Sequence, residues 1–359
     1  MANLHQITSP DDGAFDELCA ELSQASSEID RTELWPSKQL QRLGEAGVYR
    51  WFLPPEWTGT AWDEADLSRG YIKLATACLT TTFILTQRSA AVRRIVDSEN
   101  QRLKERLLPA LADGSSFTTV GISHLTTSRR HLAKPALAAR ETPEGFILDG
   151  YSPWVTGAAH ADFVVVGASF DDERQILLAV PKDLPGVSAP PHAQLLALTA
   201  SHTGPLEFKN VRVGRDWVID GPAENVMAGR SGTKTGGLQT SALAIGLSAA
   251  AIEFLNRESA ARPDLADPTA NLRHDLDNLR LDLLANAAGD QVCPADEIRA
   301  RANSLALRST QAALAAAKGA GFVQSHPAGR WCREALFFLV WSCPQPVMAA
   351  NLCELAGLG

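Results

Sequence analysis

At 359 residues and 45% hydrophobic content, the chain can bury a large core divided among two or three domains. Its formal charge of −8, with no block of Lys or Arg in any segment, excludes a nucleic-acid surface. Apolar runs such as residues 242–252 stop short of a membrane span, and Met1-Ala2-Asn3-Leu4-His5 lacks the basic start and apolar stretch of a secretory signal. The expectation is a soluble, cytoplasmic protein with no membrane or nucleic-acid partner.

Residues 1–115 read as a helical domain. Residues 14–27 and 35–46 are amphipathic, and 67–85 repeat apolar side chains at helical spacing. Residues 100–113 close the region with Gly114 as stop signal, while Pro54-Pro55 marks an interhelical loop. From 116 to 222 the period shortens. Short β-rich runs at 117–120, 146–148, 163–168, 175–180 and 206–213 are separated by Asp171-Asp172, Pro185-Gly186 and Pro190-Pro191, which predicts a small β-barrel or sandwich. Residues 223–359 are rich in Ala and Leu, and 238–256, 270–288, 295–318 and 331–355 predict a four-helix bundle. The predicted class is α+β: helical domain, central β domain, helical bundle.

The six cysteines form no C-x-x-C pair and the eight histidines no H-x-x-x-H, so free thiols and no metal site are expected. Chemistry concentrates instead in Pro153-Trp154-Val155-Thr156-Gly157-Ala158-Ala159-His160-Ala161-Asp162, which follows a Gly-rich turn and leads into an apolar run. Trp154 can stack on a flat heterocycle and Thr156 can hydrogen-bond a polar ring edge. The same residues also suit a plain buried strand with one core tryptophan.

With its surroundings, this stretch resembles the flavin-contacting strand of the acyl-CoA dehydrogenase superfamily. The domain order is that superfamily's, and further motifs match in sequence. They are Leu108-Pro109-Ala110-Leu111-Ala112-Asp113-Gly114, then Leu206-Glu207-Phe208-Lys209-Asn210-Val211-Arg212-Val213, then Gly319-Ala320-Gly321-Phe322 followed by Pro327, Arg330, Arg333 and Glu334. The resemblance covers nearly the whole chain. It implies FAD as cofactor, with Trp154 and Thr156 beside the ring, Gly121 and Ser123 near the pyrimidine edge and pyrophosphate, and Gly319 in the bundle's glycine pair. It also implies an acyl-CoA or acyl-carrier thioester substrate. A homodimer or homotetramer is expected, packed through Ala-rich bundle helices such as residues 312–317.

The chain departs from the family in four respects. The flavin-edge stretch, usually threonine-glutamate-proline-glycine, is Thr119-Val120-Gly121-Ile122. The arginine-x-x-phenylalanine-glycine signature, which grips the dinucleotide of a neighbouring subunit, reads Arg262-Pro263-Asp264-Leu265-Ala266, and the glutamine before the glycine pair is Ala315. FAD is therefore expected to be weakly held, with FMN the alternative. Finally, the carboxylate that removes the substrate α-proton is missing. Its usual place is Ser342-Cys343-Pro344, and its minority place falls near Gly236. A serine hydroxyl cannot abstract such a proton without its own base. The candidate catalytic residues are Ser342, His124 and His202, the two imidazoles as base or as holder of a substrate oxygen. His160 reads as a turn cap, Glu334 as a partner of Arg330 or Arg333, and Arg93 and Arg94 as anion contacts or surface groups.

Three functions compete: a flavin-dependent oxidoreductase on an acyl thioester or similar compound, a reduced-flavin-dependent monooxygenase on the same scaffold, and a non-catalytic binding or assembly module. Flavin colour separates the third from the first two.

Overall fold

A computed structural model describes residues 6–60, 62–126, 135–228 and 237–358. The first helix, α1 (Gly13–Thr32), is capped by Asp12, which accepts the Ala14 N–H at 3.1 Å, and buries Phe15, Leu18, Leu22 and Ile29 along one stripe. It is followed by α2 (Ser37–Glu45), α3 (Glu64–Ala77), α4 (Leu79–Asp97) and α5 (Gln101–Asp113). The single helix expected over 67–85 is two. Cys78 is extended between them (φ −156°, ψ 105°), the Thr82 hydroxyl donates to the Cys78 carbonyl at 2.8 Å, and the Cys78 thiol meets Thr81 Oγ1 at 3.3 Å. These local side-chain bonds compete with the helix ladder. For α5, Asn100 accepts the Leu103 N–H and Gly114, at φ 79°, ends the helix.

The central domain is one mixed sheet of eight strands: β1 (Thr118–Gly121), β2 (Leu137–Thr142), β3 (Gly145–Thr156), β4 (Phe163–Ser169), β5 (Gln175–Pro181), β6 (Val187–Ser188), β7 (Thr203–Gly214) and β8 (Val218–Ala223). A short helix, α6 (Ser123–Thr126), follows β1. The strand order is β6-β7-β3-β2-β4-β5-β8, with β1 pairing parallel to β4. Strand β4 explains its own sequence. Val164 and Val166 join a core within the β domain, while Phe163 and Val165 join the helical core on the other face. A strand buried on both faces reads as a continuous apolar run rather than an alternation. Strands β2, β6 and β8 carry no such run and were not expected.

The C-terminal helices are α7 (Leu238–Ser259), α8 (Ala266–Ala288), α9 (Ala295–Ala317), α10 (Pro327–Phe337) and α11 (Gln345–Leu355). The run at 242–252 is part of α7, which by length and composition is apolar enough to cross a membrane; 72% of its most apolar window is buried, as in a core helix. The single helix expected over 331–355 is two. It breaks where Ser342 adopts the left-handed conformation (φ 46°) and Pro344 precedes α11.

Candidate functional site

Strand β3 pairs with β7 but slips register between Ser152 and Val155. The slip turns Ser152 and Val155 inward and leaves Trp154 and Thr156 on the opposite face. The Trp154 indole is 56% exposed although Val155 and Thr156 beside it are buried. Thr156 Oγ1 lies 2.9 Å from Thr203 Oγ1, which lies 2.8 Å from Ser201 Oγ. Three hydroxyls sharing two bonds can point one way, Ser201 to Thr203 to Thr156, leaving the Thr156 proton for a ligand's acceptor atom. A bare indole face beside such a donor fits a flat heterocycle with a polar edge. Gly157 must be glycine: φ is 64°, and a Cβ there would lie 2.5 Å from the Trp35 ring.

Gly121 ends β1, where a Cβ would come within 2.8 Å of Ser152 Oγ and 3.0 Å of Val155. Its smallness lets β1 approach β3 and so sets where the following backbone runs. Ser123 opens α6. His124 lies half-buried there and donates Nε2–H to the Gly167 carbonyl at 2.7 Å. That bond leaves Nδ1 as a lone-pair acceptor, and Nδ1 is buried without a hydrogen-bond partner among the described residues. Burial lowers the ring's pKa, opposed by the bond to Gly167, and so disfavours its protonated form.

His202 is placed differently. It is left-handed (φ 46°), its Nε2 donates to the Glu33 carbonyl at 3.0 Å, and its Nδ1 accepts from His160 Nε2 at 2.9 Å. Trp35 stacks on His160 at 4.3 Å and His192 on His202 at 4.0 Å. This ladder joins the α1–α2 connection to the β domain at a 290 Å³ cavity lined by Ala158, Pro191, His192, His202 and Gly204. Burial, with His202, Lys182 and His192 close by, pushes His160 down to about 4. With both ring nitrogens engaged, His202 is arranged to hold two domains together. His192, Trp35 and Lys182 were not singled out in the sequence; Trp35 stacks on His160, far along the chain.

Ser342 occupies the turn between α10 and α11, half-buried and beside Trp341, which stacks on Phe337 and meets Phe83 edge-on at 5.1 Å. No carboxylate stands at this turn; Gly236 lies outside the described residues. The side chains under the turn are Arg299 and Asn303 of α9, both fully buried. Arg299 Nη2 donates to the Phe338 and Trp341 carbonyls at 3.1 and 2.9 Å, and Asn303 Nδ2 to Phe338 at 3.1 Å. Neither residue was predicted, although both interrupt the apolar register of α9.

Glu334, on α10, is buried with its carboxylate 3.5 Å from Arg330 Nε. Burial raises it to about 7, outweighing the opposing pull of Arg330. A raised carboxyl contributes stability that is complete below about 4.5 and is lost as pH rises through about 7. Glu334→Gln should therefore gain on the wild type, by roughly 2–3 kcal/mol between pH 4.5 and 8, in denaturant titrations. A constant difference across that range would contradict this account of the carboxyl.

Gly319 is exposed, and a Cβ there would meet nothing within 4 Å. Arg262 donates Nη1 to the Ala316 carbonyl at 2.6 Å and lies 3.8 Å from Glu258 and 3.7 Å from Asp264. A 330 Å³ cavity between α8, α9 and α11 is lined by the Arg308–Asp275 ion pair, Ser304 and Glu354, and holds no sequence-predicted site residue. Among the described residues, no group of three His, Cys, Asp or Glu side chains could hold a metal.

A helical domain, a single mixed sheet with a bare tryptophan on its outer face, and a helical bundle together define an acyl-CoA dehydrogenase-like flavoprotein fold. Residues 12–115 match the acyl-CoA dehydrogenase N-terminal domain and residues 122–211 the middle domain, and the chain belongs to that family. It is 22% identical over 335 residues to the mitochondrial short-chain specific acyl-CoA dehydrogenase of Mus musculus, covering 88% of this chain and 81% of that one. Its fold matches a glutaryl-coenzyme A dehydrogenase in complex with glutaryl-CoA at a TM-score of 0.82, with 17% identity over 97% of this chain and 96% of that one. It also matches the prolyl acyl carrier protein oxidase AnaB at 0.80, with 16% identity over 97% of this chain and 100% of that one.

Proposed function

We propose that this protein is a flavin-dependent oxidoreductase acting on an acyl thioester or a similar small organic substrate, without a carboxylate at the usual base position. The observation that carries the reading is the half-exposed Trp154 face beside the Ser201–Thr203–Thr156 hydroxyl chain. Trp154 would hold one face of the ring and Thr156 would donate to its edge, with the backbone after Gly121 available to its polar side. If the bound ligand reaches the buried Nδ1 of His124, that nitrogen would accept a hydrogen bond from it. Ser342 orients the substrate through its hydroxyl, and Phe83, Phe337 and Trp341 keep water from the turn. When bound, FAD, or FMN in its place, supplies the two-electron chemistry these side chains cannot.

The acyl-CoA and acyl-carrier names among the relatives support a thioester substrate, and the family supports FAD. A soluble cytoplasmic homodimer or homotetramer is part of the same proposal. Met348, Leu352 and Leu355 form an exposed apolar face on α11, and Phe322 is 89% exposed after α9, a surface suited to a second copy of this chain. Gly319 lies on that side, open to a cofactor edge from such a copy.

A reduced-flavin-dependent monooxygenase is the second reading, favoured by a buried guanidinium rather than a carboxylate behind Ser342. The visible spectrum of the purified protein is the test. Flavin bands are expected, and Trp154→Ala should weaken flavin retention roughly tenfold through lost stacking and burial. A colourless protein that takes up neither FAD nor FMN would leave only the non-catalytic reading. Bleaching by an acyl thioester under anaerobic conditions supports dehydrogenation; oxygen uptake only with a supplied flavin reductase supports monooxygenation.

A further inference from the structure

Helix α10 ends, like any α-helix, with carbonyls that no residue of the helix can satisfy. In the turn that follows, the carbonyls of Phe338 and Trp341 are held from another helix by Arg299 and Asn303, four residues apart on one face of α9. The next residue, Ser342, is left-handed at φ 46°, a strained conformation for a non-glycine residue. Three N–H groups reaching across from α9, rather than a glycine, thus keep this turn in place.

The second observation is electrostatic. Arg299 is completely buried, and its Nε and Nη1 have no hydrogen-bond partner among the described residues; the same is true of Asn303 Oδ1. No ion pair reaches Arg299 among those residues. A buried cation without a carboxylate is expensive to keep, and burial lowers Arg299 to about 10. The group that faces its charge is Cys343, the residue after Ser342. The Cys343 thiol is pushed up by burial and pulled back by Arg299; its other polar neighbour is the neutral Asn351 Nδ2 of α11, at 4.0 Å.

We infer that Arg299 and Asn303 are the positioning pair of the candidate site, fixing the turn that presents Ser342 and setting a positive charge behind it. The field at this turn then favours a substrate group that is anionic or accepts hydrogen bonds, the reverse of the field around a carboxylate base. This rests on the reading of Ser342 as a site residue, but it can be tested without flavin or substrate because Cys343 reports on the turn directly.

The experiment is the pH profile of iodoacetamide alkylation at Cys343, resolved from Cys19, Cys78, Cys293, Cys332 and Cys353 by peptide mass spectrometry. In Arg299→Met the profile should move up by ~0.5–1 pH unit, because burial then acts alone, and alkylation at pH 8 should fall roughly three- to tenfold. Arg299→Lys keeps the charge but cannot bond both carbonyls. Its profile should stay near the native one, while the rate at high pH rises as the turn loosens. An unshifted profile in folded Arg299→Met overturns the inference. If Arg299→Met does not fold, Arg299→Lys and Asn303→Ala decide: native rates at high pH in both overturn it. A shifted thiol profile in a colourless protein would uphold the positioning role and refute the flavin reading, so the two failures are distinct.

Discussion

Replacing Ser342 with glutamate should create or raise dehydrogenation of acyl thioesters, read as anaerobic bleaching of the flavin band. General-base catalysis typically contributes ~10²–10⁴-fold, so a carboxylate at this turn should stand clear of background. Two influences set its pKa. The buried Phe338 and half-buried Phe337 and Trp341 raise it by desolvation, and Arg299, bonded to the adjacent Trp341 carbonyl, lowers it. The gain should therefore lie toward the lower end of that range and should grow in Arg299→Met/Ser342→Glu if the positive charge over-stabilises the anion. Ser342→Ala should alter turnover only a few-fold, because a hydroxyl there orients but does not deprotonate. Complete loss of activity in Ser342→Ala, with flavin still bound, would make Ser342 essential and this account of the site wrong.

Gly246→Val should damage the fold severely. Helices α3 and α7 cross at Gly246, where an added Cβ would lie 2.6 Å from both Ala75 Cβ and the Ile72 carbonyl. The Thr76 hydroxyl donates to the Gly246 carbonyl at 3.1 Å, fixing the same crossing. Backbone on one side and a helix core on the other leave nothing flexible to yield, so the helices must separate. Overpacking of this kind costs about 3 kcal/mol. Gly319→Val is the control, since its Cβ meets open space and the chain should unfold as the wild type does. Equal denaturant midpoints for the two variants would show that the α3–α7 crossing tolerates what its geometry says it cannot.

The layout of helices, sheet and helices was legible because it is written in periods. Helix α1 repeats Phe15, Leu18, Leu22 and Ile29, and β4 is apolar throughout because both of its faces are covered. The breaks were not legible. The α3–α4 break turns on hydroxyl and thiol bonds around Cys78, and the α10–α11 break on Arg299, 39 residues earlier than the carbonyl it holds. The site divides in the same way. The placement of Trp154 and Thr156 on the same face of β3 was readable because strand alternation carries it. The hydroxyl chain needs Thr203, 47 residues on, and the engagement of His202 needs the Glu33 carbonyl, 169 residues away. One signal was present and unread: Arg299 and Asn303 stand in phase with Ile298, Ala302 and Ala306, polar side chains in an apolar register.

Arg262 gives its guanidinium to the carbonyl of Ala316 on its own chain and flanks it with Glu258 and Asp264. In the family resemblance, this is the group that reaches over to a neighbour's dinucleotide. Folded back, it ties off the end of α9 and has little charge left to lend outward. On the proposed reading, any hold on a neighbouring copy's cofactor must then come from other groups, such as the open backbone around Gly319.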